Sequence, residues 1–430
     1  MKTQFFTLFF TIICLSLQAQ QPCIIEGNIN GIPDGTVISL MRQQGTGMKR
    51  IANDTIDNGK FKFIIHTLNN QTEALRIVSK GEGFPNTWLD VYASPGETVS
   101  IIGSDKLLRT WNIVSNIKEQ QEENQYTNVG FRNLTDQRQR LQALSSDMWK
   151  KIAILDSPKE KIQMTDSIQN ILYPQLDSLE LLLSKEEINL MKNLPVTSIW
   201  LDHLEALSRQ SVYLKGLPIS EAQVLYQQLT STQRNSQIGK KIEVCLTPTK
   251  AKIGDDMPDT ELSNIDGNHH RLSDYKGKYL LLDFWSRSCG HCIESLPEME
   301  ILSDMWKEKV TFIGINIDDE KSWKEFSQRK NIKWIDLNDP KGAFGLYIRY
   351  KANGTPFYVL VTPDGKITDI WYGYNKDSLS ERLKQGTRNK IRYVTVYRDK
   401  NRPHVKKQEN KHRFSCFSAF YYRILLSLQP

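Results

Sequence analysis

The chain has 430 residues, which is long enough for two or three domains with real hydrophobic cores. Its 56 lysines and arginines outnumber its 49 aspartates and glutamates, but this excess is local. The segment from Thr387 onward carries 11 basic and 2 acidic residues, and the rest of the chain is slightly acidic. A slightly acidic body argues against a nucleic-acid-binding protein, so we expect no nucleic-acid partner.

The first 19 residues have the pattern of an export signal. Lys2 precedes an apolar core at 5–17, and Ala19 supplies a small residue for cleavage. The core is too short to span a bilayer stably, although an uncleaved anchor helix and a lipid anchor at Cys23 stay open as alternatives. Export implies an oxidising compartment, where a reactive dithiol that acts as a reductant must be kept reduced by something else.

Residues 23–115 contain short apolar runs separated by turn residues. Asn58-Gly59 is a preferred type I′ hairpin pair, and Pro33-Asp34-Gly35 is a second turn. Repeated short strands at this spacing predict an all-β, sandwich-like domain. The predicted strands are 24–29, 36–41, 61–65, 75–78, 88–93 and 99–102. We find no catalytic constellation in this domain and expect a docking or spacing module, with ligand or peptide binding as the alternative.

Residues 116–245 change to a helical and polar character. Ser157, Pro158 and Glu160 read as an N-cap, a first-turn proline and a capping-box glutamate, and Ser184 opens a second such signature. An apolar stripe at helical spacing is formed by Leu172, Leu176, Leu179 and Leu183. We expect four or five helices packed between or beside the flanking domains, with the stripe as core or, alternatively, as a surface for dimerisation.

The most informative stretch is 279–297, where a strand gives way to a helix. An apolar run at 279–285 is broken only by Asp283 and predicts a central parallel strand buried on both faces. Helical spacing begins at Cys289, so Cys289 and Cys292 lie in the first helical turn, where free backbone N–H groups and the helix dipole favour the thiolate. Such a pair can attack a partner's disulfide and then resolve the mixed disulfide without a cofactor.

Two alternatives compete with this redox interpretation: half of a zinc site, and a pair of inert structural thiols. A zinc site needs further ligands, and only His269 and His270 lie nearby in the sequence. We therefore predict no metal and no cofactor. The remaining mature cysteines form no even framework, so we expect free thiols rather than a bridge between Cys23 and Cys245.

Further short motifs accompany the cysteine pair in a fixed order. They are Asp283-Phe284-Trp285, Cys289-Gly290-His291-Cys292 with Pro297, Gly354-Thr355-Pro356, and Thr362-Pro363-Asp364-Gly365. Together they resemble the thioredoxin fold, in particular the TlpA/ResA-like thiol-disulfide oxidoreductases of bacterial envelopes. The resemblance runs from about 258 to 386 and implies a thioredoxin-like α/β domain at 250–386. Residues 23–115 resemble, less specifically, a β-domain of unknown function that often precedes such domains.

The resemblance implies roles for the residues that match its motifs. Cys289 is expected to be the exposed nucleophile and Cys292 the resolving cysteine. Asp283 matches the buried aspartate that moves a proton to or from the resolving cysteine. A carboxyl group on an apolar strand is costly to ionise, so its pKa should be raised. The alternative is an aspartate that is satisfied by a local hydrogen bond and takes no part in turnover.

Substrate contacts are expected at three further residues. Pro356 matches the family's cis-proline, and Thr355 and Pro356 should present backbone to an extended substrate. His291 lies between the cysteines and can stabilise the Cys289 thiolate, which would make the disulfide a better oxidant than that of thioredoxin. The alternative for His291 is a solvent-facing side chain with no role.

The chain departs from the family pattern at three positions. Ser295 stands where TlpA/ResA-like proteins usually have a glutamate, and Glu294 comes one residue too early to replace it. Gly314 takes the place of thioredoxin's lysine partner to Asp283. Ser288 replaces the tryptophan before the first cysteine, so the rim of the site is smaller and more polar. Asp283 is therefore expected to carry the acid-base role alone.

These observations predict an exported thiol-disulfide oxidoreductase in the periplasm or cell envelope of a Gram-negative bacterium. Its partners would be protein thiols and disulfides, apocytochromes among them, and a membrane-bound electron donor, with reduction favoured over oxidation. A disulfide oxidase or isomerase and a non-catalytic binding protein are the alternatives. Ser286 and Arg287 do not fit the peroxiredoxin pattern, so peroxidase activity is a weak alternative. We expect residues 387–430 to be a disordered basic tail or, alternatively, a contact with anionic membranes.

Overall fold

The computed structural model describes residues 21–44, 47–128, 131–247 and 251–387. The predicted export signal lies outside these residues, as does the predicted basic tail apart from Thr387. A strand-rich part, a helical part and a mixed α/β part follow each other along the chain, which confirms the predicted fold class. None of the described helices combines the length and apolar character that crossing a bilayer requires.

The strand-rich part consists of two four-stranded sheets that share one hydrophobic core. One sheet is built from β1 (Cys23–Ile29), β4 (Lys60–Ile65), β7 (Thr98–Gly103) and β8 (Asn112–Val114). The other is built from β2 (Val37–Gln44), β3 (Gly47–Thr55), β5 (Glu73–Val78) and β6 (Leu89–Ala93). Buried and exposed side chains alternate along β1 and β4, as expected for sheets with one covered face.

Each of the six predicted β-domain strands is present, but β3 and β8 were not predicted. No side chain of β3 is fully buried, so its sequence lacks the apolar alternation that marks a strand. The predicted turn at Asn58 and Gly59 is confirmed, because both residues have the positive φ angles, 48° and 75°, that a type I′ turn needs.

The helical part contains eight described helices, whereas four or five were predicted. They are α1 (Lys118–Asn128), α2 (Arg132–Ile154), α3 (Pro158–Ser167), α4 (Tyr173–Met191), α5 (Ser198–Tyr213), α6 (Ile219–Gln227), α7 (Ser231–Asn235) and α8 (Gln237–Leu246). Ser157 caps α3, as predicted, by accepting the backbone N–H of Glu160. The predicted helix start at Ser184 is wrong: this residue lies buried inside α4, where its hydroxyl donates to Gln210 Oε1 at 2.8 Å.

The α/β part is organised around a seven-stranded mixed sheet. Its strands in spatial order are β10 (His269–Arg271), β9 (Glu261–Ser263), β13 (Ile335–Asn338), β12 (Val310–Asn316), β11 (Tyr279–Trp285), β14 (Phe357–Val361) and β15 (Ile367–Tyr372). Helices in this part are α9 (Gly290–Met305), α10 (Glu320–Lys330), α11 (Leu346–Arg349) and α12 (Ser378–Gly386). Strand β11 pairs in parallel with β12 and antiparallel with β14, and all seven of its residues are buried, as predicted.

One face of this sheet carries the residues that matter for the site. Leu281 on β11 packs with Met299 and Leu302 of α9, so α9 covers that face. Because alternate residues of a strand point to the same side, Asp283 also faces α9. A short loop connects the end of β11 to the start of α9. The cysteine pair therefore lies at the carboxyl end of this interior strand.

Candidate active site

The two cysteines form a disulfide at the start of α9. Their Cα atoms are 5.2 Å apart, Cys289 is the N-cap residue, and its Sγ accepts the backbone N–H of Cys292 at 3.2 Å. Cys289 is only 6% exposed and Cys292 2%. The prediction that Cys289 is exposed is therefore wrong for the disulfide form. Cys23 and Cys245 are buried, and neither is in a disulfide, as expected.

The loop that carries Thr355 and Pro356 lies against Cys289. The peptide bond between these two residues is cis, and the carbonyl oxygen of Thr355 is 3.1 Å from Cys289 Sγ. This contact helps to bury Cys289, and it also means that a substrate sulfur reaching Cys289 would meet the backbone of Thr355.

His291 lies on the outer side of the first turn of α9. Its Nδ1 is 2.8 Å from Glu294 Oε2, and the two side chains are 63% and 64% exposed. Its imidazole therefore pairs with a surface carboxylate within the helix. Stabilisation of the Cys289 thiolate by His291 stays a prediction.

Asp283 is buried on β11, on the sheet face that α9 covers. Burial raises the pKa of this carboxyl group to about 8, and the negative charge of Asp336 adds to the increase. Within the described parts of the chain, its Oδ1 atom has no hydrogen-bond partner. Among the described residues, no local hydrogen bond therefore satisfies this oxygen. With a pKa of about 8, Asp283 is protonated at neutral pH.

Two further buried residues belong to this part of the site. Tyr358 pairs with Asp283 across β11 and β14, and burial together with the Asp283 carboxyl raises the pKa of the tyrosine well above its usual value. Ser295 is fully buried and donates its hydroxyl to the carbonyl oxygen of Cys292 at 2.8 Å. Ser295 thus forms a hydrogen bond with the helix backbone at Cys292, and its side chain provides no carboxylic acid.

A second polar group, not predicted from the sequence, holds the loop before the cysteines. Asp318 Oδ1 accepts the Ser286 hydroxyl and Asp318 Oδ2 accepts the Arg287 backbone N–H, both at 2.7 Å. Asn316 donates to Asp318 at 3.2 Å, and Asn338 donates to the Asp318 carbonyl at 2.9 Å. These polar residues lie at the carboxyl ends of parallel strands, where ligands and catalytic loops collect in α/β sheets, and this signal could have revealed them.

Asp336 is the other buried acid that sequence reasoning missed. Its carboxyl group accepts the indole N–H groups of Trp285 and Trp323, at 3.0 and 2.8 Å, and the hydroxyl of Ser327 at 2.6 Å. Burial raises its pKa to about 6, against the lowering effect of the three donors. Trp285 and Trp323 pack in one cluster with both cysteines, so Asp336 is connected to the disulfide through their indole rings.

Comparison with known proteins agrees with this geometry. A model of the AhpC/TSA family matches residues 253–370. The thiol-disulfide oxidoreductase ResA of Bacillus thuringiensis subsp. konkukian (strain 97-27) is 30% identical over 141 residues, which are 32% of this chain and 80% of that protein. The chain belongs to the ResA-like thiol-disulfide oxidoreductases.

Two further relatives are similar to this chain. The thioredoxin-like protein YneN of Bacillus subtilis (strain 168) is 28% identical over 135 residues, covering 30% of this chain and 78% of that protein. The crystal structure of a putative thiol:disulfide interchange protein DsbE from Chlorobium tepidum shares 27% identity over 32% of this chain and 96% of that chain, with a TM-score of 0.30. The β-domain and the helical part lie outside the residues that the family model matches.

The ResA-like site offers the parts that disulfide exchange needs. It has a disulfide at a helix N-terminus, a protonated acid on the strand that leads towards it and a backbone carbonyl beside the Cys289 sulfur. No three His, Cys, Asp or Glu side chains of the described residues are grouped as a metal ion would require.

Asp283→Asn should change how stability depends on pH. The folded protein keeps the Asp283 proton up to about pH 8, whereas an unfolded aspartate loses it near pH 4. The unfolded chain therefore binds fewer protons between these values, and stability falls as the pH rises through this window. At pH 8 we expect the variant to exceed the native protein by about 2 to 5 kcal/mol in free energy of unfolding. Asp304→Asn, at an 81% exposed side chain, is the matched control. Parallel pH profiles for native protein and Asp283→Asn, measured by chemical unfolding, would contradict a raised pKa.

Asp318→Ala should loosen the loop before Cys289. The substitution removes the acceptor for two hydrogen bonds at 2.7 Å, so we expect a loss of about 2 to 4 kcal/mol in free energy of unfolding. Hydrogen exchange at the Arg287 amide should also become at least tenfold faster. Ser286→Ala, which removes one of the two donors, serves as the milder control. An unchanged exchange rate at Arg287 would show that Asp318 does not hold the loop.

Proposed function

We propose that this protein is exported and exchanges disulfides with protein substrates through the Cys289–Cys292 pair. The observation that carries the proposal is a protonated carboxyl group on the strand that leads towards the disulfide, whose Oδ1 atom has no hydrogen-bond partner among the described residues. Such a group can supply and recover the proton that a resolving cysteine exchanges in each half of a redox cycle.

In the regenerating half of the cycle, a donor thiolate attacks Cys289 Sγ and the Cys289–Cys292 bond breaks. Cys292 leaves as a thiolate and takes the proton of Asp283, while Cys289 is held in a mixed disulfide with the donor. The second thiolate of the donor then attacks the donor sulfur of the mixed disulfide, Cys289 leaves as a thiolate, and the donor leaves as a disulfide. Two electrons enter the pair, and Asp283 is left ionised.

In the substrate half of the cycle, the Cys289 thiolate attacks a substrate disulfide and releases one substrate thiolate. Asp283 takes the Cys292 proton, and the Cys292 thiolate attacks Cys289 Sγ in the mixed disulfide. The second substrate thiolate leaves, the Cys289–Cys292 bond forms again, and Asp283 is protonated as in the disulfide form described above.

Substrate chains would pair with the loop at Thr355 and Pro356. The Thr355 carbonyl beside Cys289 would accept a hydrogen bond from an extended peptide that presents its own disulfide. His291, exposed at the rim, would contact the same peptide from the helix side.

The site works in the cell envelope of a Gram-negative bacterium, with a membrane-bound donor that keeps the pair reduced. Support comes from the amino-terminal sequence, where Lys2, the apolar core at 5–17 and Ala19 form an export pattern. In an oxidising compartment a reductant needs a constant supply of electrons, and protein disulfides, including those of apocytochromes, are available substrates.

Cys292→Ser should trap substrates on Cys289. Without its resolving partner, the Cys289 thiolate forms mixed disulfides that persist, and mass spectrometry of envelope fractions should identify proteins released from Cys289 by reductant. The double variant Cys289→Ser/Cys292→Ser is the control. Equal recovery from both variants would exclude exchange through Cys289.

Asp283→Asn should slow the reduction of the disulfide. An amide cannot deliver a proton to Cys292, and loss of a general acid typically costs a factor of 100 or more, so we expect about 100-fold at pH 7. Single-turnover reduction by dithiothreitol measures this step. The native rate, divided by the fraction of dithiothreitol present as thiolate, should fall above about pH 8, where Asp283 ionises, while the variant should lack that decrease. A native-like rate for the variant would remove Asp283 from the mechanism.

A further inference from the structure

Three neighbouring strands place two buried acids in one row. Asp283 on β11 is in register with Gly314 on β12, and Gly314 is in register with Asp336 on β13. Residues in register on adjacent parallel strands point to the same side of the sheet. Asp283 and Asp336 therefore lie on the same face, with a residue between them that has no side chain.

The Asp336 carboxyl group lies in the space that a side chain at position 314 would occupy. A Cβ atom built on Gly314 would be 2.9 Å from Asp336 Oδ1, 3.1 Å from Trp285 Nε1 and 3.3 Å from Trp334 Nε1. The glycine thus lets the Asp336 carboxyl and two indole nitrogens converge at a point directly beside Asp283. Any larger residue at this position would separate the two acids.

The contacts of Asp336 favour its ionised form. The donors Trp285, Trp323 and Ser327 all give hydrogens to its two oxygens. Hydrogen bonds donated to a carboxylate stabilise its charge, whereas Asp283 Oδ1 receives none among the described residues. When two close carboxyl groups compete for one proton, the group with fewer donors keeps it.

A cavity of about 280 Å³ reaches Asp336 from the far edge of the sheet. His270, Tyr275 and Trp334 line it, and the His270 Nδ1 atom is 2.9 Å from the Tyr275 hydroxyl. The Nε2 atom of His270 is buried without a partner in the described structure. The cavity gives Asp336 a route for exchanging protons that does not pass through the cysteine pair.

Other charges near the two acids are few. Asp336 faces Asp283 across the glycine, and His270 and Tyr275 across the cavity. Asp283 faces Asp336 and Tyr358, with the buried side of α9 above it. Neither acid forms an ion pair with a cation of the described residues, so the Asp336 carboxylate is the main charge that Asp283 meets.

We propose that Asp336 is a positioning residue for disulfide exchange, whose carboxylate keeps the proton on Asp283 across the gap at Gly314. The inference rests on the proposed function, because it assigns the control of the same proton. Asp336 touches neither the sulfurs nor a substrate; it acts through Asp283.

The test is a carboxyl NMR titration of full-length oxidised protein with ¹³C-labelled aspartate. Asp336→Asn removes the charge and keeps an oxygen acceptor for one of the two indoles, since Trp285 and Trp323 donate to different oxygens of Asp336. The Asp283 midpoint should therefore fall by one pH unit or more, a tenfold loss of proton affinity. Asp283→Asn, which also assigns the resonance, should leave the Asp336 midpoint close to the native value, because Asp283 is uncharged where Asp336 ionises.

An Asp283 midpoint that falls by less than one pH unit in folded Asp336→Asn would overturn the inference, since a charge within about 4–6 Å shifts a neighbouring pKa by about one unit or more. A purely structural Asp336 would lower the unfolding temperature and leave that midpoint in place. If Asp336→Asn does not fold, the native titration decides: the Asp283 resonance must show a second inflection at the Asp336 midpoint, and a single inflection overturns the coupling.

The reduction rate separates this inference from the proposed function. A native-like rate for Asp283→Asn, together with a shifted Asp283 midpoint in Asp336→Asn, would remove Asp283 from the mechanism and leave the coupling of the two acids established. A slow Asp283→Asn with an unshifted midpoint in Asp336→Asn would support the mechanism and remove Asp336 from it.

Discussion

The burial of one carboxyl group, that of Asp283, is the constraint on which the site depends. Ionising an acid away from water is costly, and the fold offers Asp283 no cation among the described residues, so the group keeps its proton at neutral pH. Strand β11 can carry it because its other residues are apolar and fully packed. Helix α9 seals the same face and begins at the disulfide. Asp283 thus holds its proton on the sheet face that the disulfide-bearing helix covers.

Two separate hydrogen-bond networks, one centred on Asp318 and one on Asp336, lie in this region of the protein. One network joins Asp318 to Asn316 and Asn338 at the carboxyl ends of β12 and β13. It holds the loop that leads into α9. The other network is centred on Asp336 within the sheet. Its carboxyl group accepts hydrogen bonds from the indoles that pack in one cluster with the cysteines. The Asp318 network holds the loop before the cysteines and so helps to position the two sulfur atoms. The Asp336 network sets the electrostatic field at Asp283, and Gly314 keeps the two acids within reach of each other.

Local signals were enough to find the cysteine pair, Asp283 and the Thr355-Pro356 loop, because each is marked by residues adjacent in sequence. The fold class was also predictable, since the change from strand to helical periodicity is strong. The burial of Cys289 was not, because it depends on a carbonyl 66 residues away. Asp336 was missed because its place beside Asp283 follows from the register of three strands. Short helices such as α7 and the polar strand β3 leave too little periodicity to detect.

The helical part also bears on the substrate side of the site. Tyr213 at the end of α5 donates its hydroxyl to the carbonyl oxygen of Ala352 at 2.8 Å, three residues before Thr355. Val212 and Cys245 pack on Ile348 of α11 in the same region. The chain that leads into the loop is therefore held by side chains of the neighbouring part. Because the Thr355 carbonyl contacts Cys289, this packing connects the helical part to the outer sulfur. The orientation of the surface that meets a substrate is thus a property of two parts of the chain together, although the reacting atoms all belong to one.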